Sequence, residues 1–252
     1  KGTDSAKEAI YNLSDDHPEL MEMTQINEFL KDHTWACKGP VRLSYNRDIM
    51  GGGRLITPYQ GLPDRRIRIR INTLIDEQKI CEVDFNANHL RLNLAILSGE
   101  HAGDSPYEDI CDVAGFEHSQ RSYVKNFVTR ALGSGNNTLL QGSNDSRDKA
   151  LAACHSLGMT TKMFETIEYA TLKRFPKLTL YKGWGLHAQN FEGQILKEVL
   201  LEGIKKDIVC LPVHDAVAVQ QHHKKWAKEI MLETWQKHAR GVSTKVKIDY
   251  PL

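Results

Sequence analysis

An α+β fold is the expectation, and three observations carry it. Ile80–Phe85 and Ile208–Val219 are short, apolar and β-branched, as buried strands are. Several longer stretches read as helices. Strands and helices mix along the chain without regular βαβ alternation, which favours α+β. The 252 residues suit one large domain or two small ones with a sizeable core. With 40% hydrophobic and 26% charged residues, the composition is that of an ordinary soluble globular protein. No stretch approaches the ~18 consecutive apolar residues of a membrane span, and no signal peptide is visible, so no membrane partner is expected.

Taken in order, residues 1–38 read as two short helices, the second running Glu19 to Asp32 with Pro18 near its start. Gly51-Gly52-Gly53 reads as a hinge or tight loop before Arg54-Leu55-Ile56. Arg65 to Asn72 alternates basic residues with isoleucine, the period of an edge or groove-facing strand. The Asp84 strand follows, then helices over Asn88–Leu97, Pro106–Ala114 and Ser119–Leu132. Residues 133–148 are rich in Gly, Asn and Ser and read as a mobile loop. Further helices are expected over Lys149–Leu157, Thr160–Arg174 and Gln189–Gly203. A hairpin around Asp215, a helix from His223 to His238 and a strand at Val242–Asp249 complete the chain, without internal repeats.

Cys37, Cys81, Cys111, Cys154 and Cys210 show no C-x-x-C pairing, and two of them lie inside apolar strands. An odd, scattered set of this kind points to reduced thiols in a cytoplasm and away from a structural zinc site. A net charge of +1 is weak for a nucleic-acid binder judged on the total, but distribution matters more. Arg54, Arg65, Arg66, Arg68 and Arg70 form one cluster and Arg121, Lys125 and Arg130 another. Either cluster alone reads equally well as a solvated face.

Asp84 and Asp215 carry the chemical signal. Each lies in an apolar strand run, where a carboxylate costs several kcal/mol, in order of magnitude, unless it is paired or holds a cation. On adjacent strands the two would form a divalent-metal site suited to phosphoryl chemistry. Glu82 shares the parity of Asp84 and is a further candidate there.

An ordered set of motifs then gives a resemblance. Gly53-Arg54-Leu55, Gln60-Gly61-Leu62-Pro63 and Arg65 to Ile71 lead into Asp84-Phe85-Asn86-Ala87-Asn88-His89-Leu90-Arg91. This resembles the palm entry and first metal motif of family A (DNA polymerase I-like) polymerases. Arg121 and Lys125 resemble the fingers motif; His187-Ala188-Gln189 through Lys197, and Val213-His214-Asp215, resemble the late palm helix and third motif. The likeness spans roughly 51–220 and looks closest to compact phage or mobile-element proteins, with relatedness to phage-type single-subunit RNA polymerases.

The resemblance implies an antiparallel polymerase palm plus reduced helical fingers, the thumb absent or vestigial. It divides the chain into an N-terminal helical segment (1–50, readable as a thumb remnant), a first palm segment (51–104), reduced fingers (105–180) and a second palm segment (181–252). It implies that Asp84 and Asp215, with the Phe85 carbonyl, hold two Mg²⁺ (or Mn²⁺) ions about 4 Å apart. Arg121 and Lys125 would neutralise the triphosphate and the leaving pyrophosphate. Arg54, His187, Gln189 and His214 would meet nucleic acid, and His89, Gly133 and Leu132 would bear on sugar and base selection. His187 alone is also readable as a satisfied core histidine. The implied partners are a primer-template, nucleoside triphosphates and a protein supplying a thumb or processivity, in a cytoplasmic setting, at a nucleoid or in a phage-infected cell.

The sequence departs from the family's pattern at several points. His89 replaces the glutamate that commonly excludes a ribose 2′-hydroxyl, and Leu132-Gly133-Ser134 lacks the stacking aromatic of the fingers helix. Ala216 follows the last aspartate where an acidic residue is common. The leading reading is a template-directed DNA polymerase. RNA polymerisation, template-independent or priming transfer, and a non-catalytic nucleic-acid-binding subunit stay open beside it.

Overall fold

The structure is a computed structural model that describes residues 14, 16–46, 48–64, 66–135, 142 and 145–251. Among these residues it is α+β, with an antiparallel sheet and eight α-helices. The chain divides into two compact units. One comprises 1–86, 192–235 and 246–252, the other 87–191 and 236–245.

The first unit holds the sheet. Helix α1 (Pro18–Lys31) starts with proline at its first position, where a missing N–H is harmless. Strands β1 (Arg42–Asn46) and β2 (Asp48–Ile56) form an antiparallel ribbon, so residues 1–50 carry strand as well as helix. After β3 (Leu74–Ile75), strand β4 (Gln78–Phe85) becomes the sheet's centre. Its neighbour on one side is β6 (Ala216–Gln220), which β5 (Leu211–Val213) extends outward. Its other side is shared by β3, at the β4 start, and β7 (Val246–Asp249), at the β4 end. This central place explains why Ile80, Cys81, Val83 and Phe85 are all buried. Each such aliphatic or aromatic side chain contributes about 1.5–3 kcal/mol on burial.

Three expectations for this unit are corrected. Gly51-Gly52-Gly53 is not a hinge between elements but the middle of β2, which pairs with β1 through register shifts at Ser44/Tyr45 and Tyr45/Asn46. Gly52 and Gly53 take φ of +91° and +77°, the left-handed backbone of bulged strands. Gly53 also meets Gly193 of α7 (Gly185–Lys205) so closely that a Cβ on Gly193 would stand 1.8 Å from the Gly53 oxygen.

Second, the alternating Arg65–Asn72 segment contains no strand among its described residues. The Ile69 and Arg70 N–H groups both donate to the Pro63 carbonyl, at 2.9 and 3.2 Å, and a single 3₁₀ turn runs Arg70–Asn72. The basic side chains at 68 and 70 turn to carboxylates of the sheet, which outweighs the period-2 pattern. Third, the last strand is shorter than expected, Val246–Asp249 in place of Val242–Asp249.

The second unit is helical. It contains α2 (Asn88–Ser98), α3 (Pro106–Ala114), α4 (Arg121–Gly133), α5 (Ser146–His155), α6 (Thr161–Arg174) and the first residues of α7. Helix α8 (Lys224–His238) lies mostly in the first unit. The Thr160 side chain accepts from the Met163 N–H, which sets the start of α6. The core of this unit joins Ile110, Val124, Phe127, Phe164 and Ile167, with the Phe127 and Phe164 rings edge to face at 4.9 Å. Helix α5 begins at Ser146, inside the expected 133–148 loop; half of that loop, and the first N-terminal helix expected, lie outside the described residues. Helix α7 starts four residues before the expected Gln189.

Candidate active site

Strand register builds the site. Asp84 lies opposite Ala216 on β6 and opposite Lys247 on β7, while the Phe85 N–H donates to the Asp215 carbonyl at 3.3 Å. The backbone therefore sets Asp84, near the end of β4, beside Asp215, in the loop that leads into β6, at one end of the sheet. Directly paired antiparallel residues share a face, so Glu82, Asp84, Lys247 and Asp249 project together. Their partners across β6 are Ala218 and Ala216, whose short side chains leave room on that face.

The Lys247 Nζ donates to Asp84 Oδ2 at 2.9 Å. This bond raises the Lys247 pKa; burial opposes the rise, and the charges of Asp84, Asp215 and Asp249 add to it. The other two carboxylates on the face are committed elsewhere. Arg70 clamps Glu82 with Nε and Nη2 at 2.7 and 3.0 Å, so the expected metal-site candidate is instead half of a buried ion pair. Arg68 clamps Asp249 with both Nη atoms at 2.9 and 3.0 Å and also donates to the Tyr250 carbonyl.

Two residues with left-handed backbone flank the carboxylates. His214 and Asp215 form the two-residue loop between β5 and β6, and His214 has φ of +57°. Primed hairpin turns usually fill that position with glycine or asparagine, and a bulkier residue there costs on the order of 1–3 kcal/mol. Ala87, three residues beyond Asp84, has φ of +51° and caps α2. The hairpin is braced by Gln60, whose Oε1 lies 3.5 Å from the His214 nitrogen, and by Thr57, which donates to the Pro212 carbonyl at 3.4 Å. Arg54 follows the bulge, its Nε 3.8 Å from Oε1 of the buried Glu192.

The second unit holds the remaining expected residues. Arg121 and Lys125 start α4 one turn apart, as expected. Arg121 donates to Glu108 at 2.6 Å and lies over the Tyr107 ring, while Lys125 is exposed. Leu132 is fully buried, so its side chain has no face for a base to stack on, whereas the adjacent Gly133 is exposed. The His89 carbonyl accepts from the Trp184 indole N–H at 3.3 Å. His187 stacks on Trp184 at 6.1 Å, and Gln189 is half-buried on α7.

The oxygen-only pair Asp84 and Asp215 suits a hard cation. Mg²⁺ is commonly held by one or two carboxylates together with substrate phosphates. The ammonium already on Asp84 marks the place as one that takes positive charge. Among the described residues no group of three or more His, Cys, Asp or Glu is arranged as a metal cage. The five cysteines are free thiols, four of them buried.

Lys247 and the arginine clamps were not foreseen. The signal for Lys247 was its alternation with Asp249 along Lys-Val-Lys-Ile-Asp, which places both on one strand face.

No protein-family model and no curated protein matches the chain. Among solved structures it is similar to the POL domain of Pol1 from M. smegmatis, in complex with DNA primer-template and dNTP. The TM-score is 0.45 and the identity 13%, over 92% of this chain and 51% of that one. The chain thus spans about half the length of that structure. No helix among the described residues is long and apolar enough to cross a membrane.

Proposed function

We propose that the protein is a metal-dependent, template-directed nucleotidyltransferase, a DNA polymerase that joins dNTPs to a primer 3′-hydroxyl. The observation that carries the reading is the β4–β6 register, which sets Asp84 beside the hairpin bearing Asp215 within an ordered set of polymerase-like motifs. Asp84 and Asp215, with the Phe85 carbonyl, would hold Mg²⁺ or Mn²⁺. Such cations lower the pKa of the attacking hydroxyl and neutralise charge on the transferring phosphoryl group.

The chain's own residues do the rest. The hairpin turn at His214 presents Asp215 at the sheet end and offers an imidazole to the primer terminus. Arg121 and Lys125 are assigned the triphosphate, where guanidinium and ammonium groups offset developing negative charge. Arg54, His187 and Gln189 are assigned nucleic-acid contacts, and His89 and Gly133 the sugar and base of the incoming nucleotide. The partners on this reading are a primer-template and nucleoside triphosphates.

The test is extension of a labelled primer on DNA and RNA templates, with dNTPs or rNTPs and Mg²⁺ or Mn²⁺. Templated DNA synthesis is expected. Extension with random sequence would replace it by template-independent transfer, and extension only with rNTPs by RNA synthesis.

A further inference from the structure

The face that carries Asp84 treats its carboxylates in two ways. Glu82 and Asp249 are each gripped by the planar fork of an arginine through two hydrogen bonds. An arginine fork held bidentately is rigid and always charged. Asp84 meets the Lys247 ammonium, carried on a flexible stem, and the Lys247 side chain is 67% exposed. Ion pairs with so much solvent around one partner are held weakly. The arginines thus lock two carboxylates out of the site, while the lysine's own bond to the third is easily undone.

The position of Lys247 is itself fixed. It is the direct cross-strand partner of Asp84, and the Arg68 clamp on Asp249, two residues along β7, pins that register.

We propose that Lys247 is a tethered counter-cation of the Asp84–Asp215 pair, whose ammonium sits where a divalent ion binds Asp84 and is displaced when the metal enters. The inference rests on the reading of Asp84 and Asp215 as metal ligands. With no metal bound, the ammonium screens the carboxylates that the strand register forces together, and so keeps the centre formed. On metal entry it swings to solvent, to which its stem is already open. The arrangement sets the metal affinity of the free protein below that of the bare carboxylate pair.

The test is Mn²⁺ binding to the full chain without nucleotide, followed by electron paramagnetic resonance. It compares wild type with Lys247→Gln, Lys247→Arg, Asp84→Asn, Asp215→Asn and the double variant Lys247→Gln/Asp84→Asn. Lys247→Gln should bind Mn²⁺ about two- to fivefold more tightly, since a weak competing ion pair is removed. Lys247→Arg should bind it no more tightly than wild type, and the gain should vanish in the double variant. Unchanged or weaker binding by Lys247→Gln, with binding lost in Asp215→Asn, would overturn the counter-cation role and leave the metal pair standing. Persistence of the gain without Asp84 would also overturn it. No Mn²⁺ binding by any variant would overturn both the role and the reading beneath it. Because Lys247 is a solvent-exposed strand residue, circular dichroism should show all Lys247 variants folded.

Discussion

The sheet end of the first unit and the α4 face of the second both carry charged residues assigned to the same chemistry, yet they are held by different means. At the sheet end, main-chain register decides which residues meet. Asp84 must lie between Ala216 and Lys247, and the Asp215 carbonyl must face the Phe85 N–H, whatever their side chains do. On α4, Arg121 and Lys125 share a face because four residues make about one helical turn, and their surroundings then differ. Arg121 is held by Glu108 and Tyr107, while Lys125 extends into solvent. A catalytic pair benefits from the first kind of placement, which the backbone enforces. Groups that meet a mobile polyphosphate can rely on the second.

The comparison can be broken at its strongest point by replacing the carboxylates. Asp84→Ala and Asp215→Ala should each lower nucleotide incorporation on the order of 10³-fold, the loss of several kcal/mol of transition-state stabilisation. Folding should survive, as thermal denaturation would show. A second break targets the support beneath the sheet end. Arg70→Met leaves the buried Glu82 without its partner and should destabilise the protein by about 3–5 kcal/mol in urea denaturation. Adding Glu82→Gln should recover part of that loss, because the uncompensated charge is then gone.

A third test concerns the close approach of β2 and α7. Gly193→Ala drives a methyl group into the Gly53 carbonyl and should cost about 1–3 kcal/mol of stability by the same assay. The smallest effects should come from α4. Lys125→Ala should weaken apparent dNTP affinity by about tenfold while changing stability by less than about 0.5 kcal/mol, as exposed residues do. Arg121→Ala should affect both, since its guanidinium also ties Glu108 and covers Tyr107.

Much of the sheet was legible in the sequence because its signal is local. The apolar runs of Ile80–Phe85 and around Asp215 named β4, β5 and β6, and the intruding aspartates named themselves by being polar there. Helices with clear ends, such as Pro106–Ala114, matched their expected bounds. What the sequence did not show was decided by partners far away in the chain. The Arg65–Asn72 alternation looked like a strand, but Arg68 and Arg70 answer to Asp249 and Glu82, and these contacts overrule the local period. The triple glycine looked like a hinge because glycine reads as freedom, whereas its conformation serves a bulge packed against Gly193. Lys247 escaped notice because it becomes relevant only through a register formed between residues 84 and 247. The expected roles of the α4 residues, of His187 and Gln189 and of His89 came from motif order, and their positions alone do not supply the chemistry.

The most direct test of the central claim is single-nucleotide incorporation into a labelled primer-template, with Mg²⁺ or Mn²⁺, by wild type, Asp84→Ala and Asp215→Ala side by side. The account predicts metal-dependent incorporation by the wild type that either substitution removes. Incorporation that survives in both variants, or none by the wild type under any of these conditions, would contradict it.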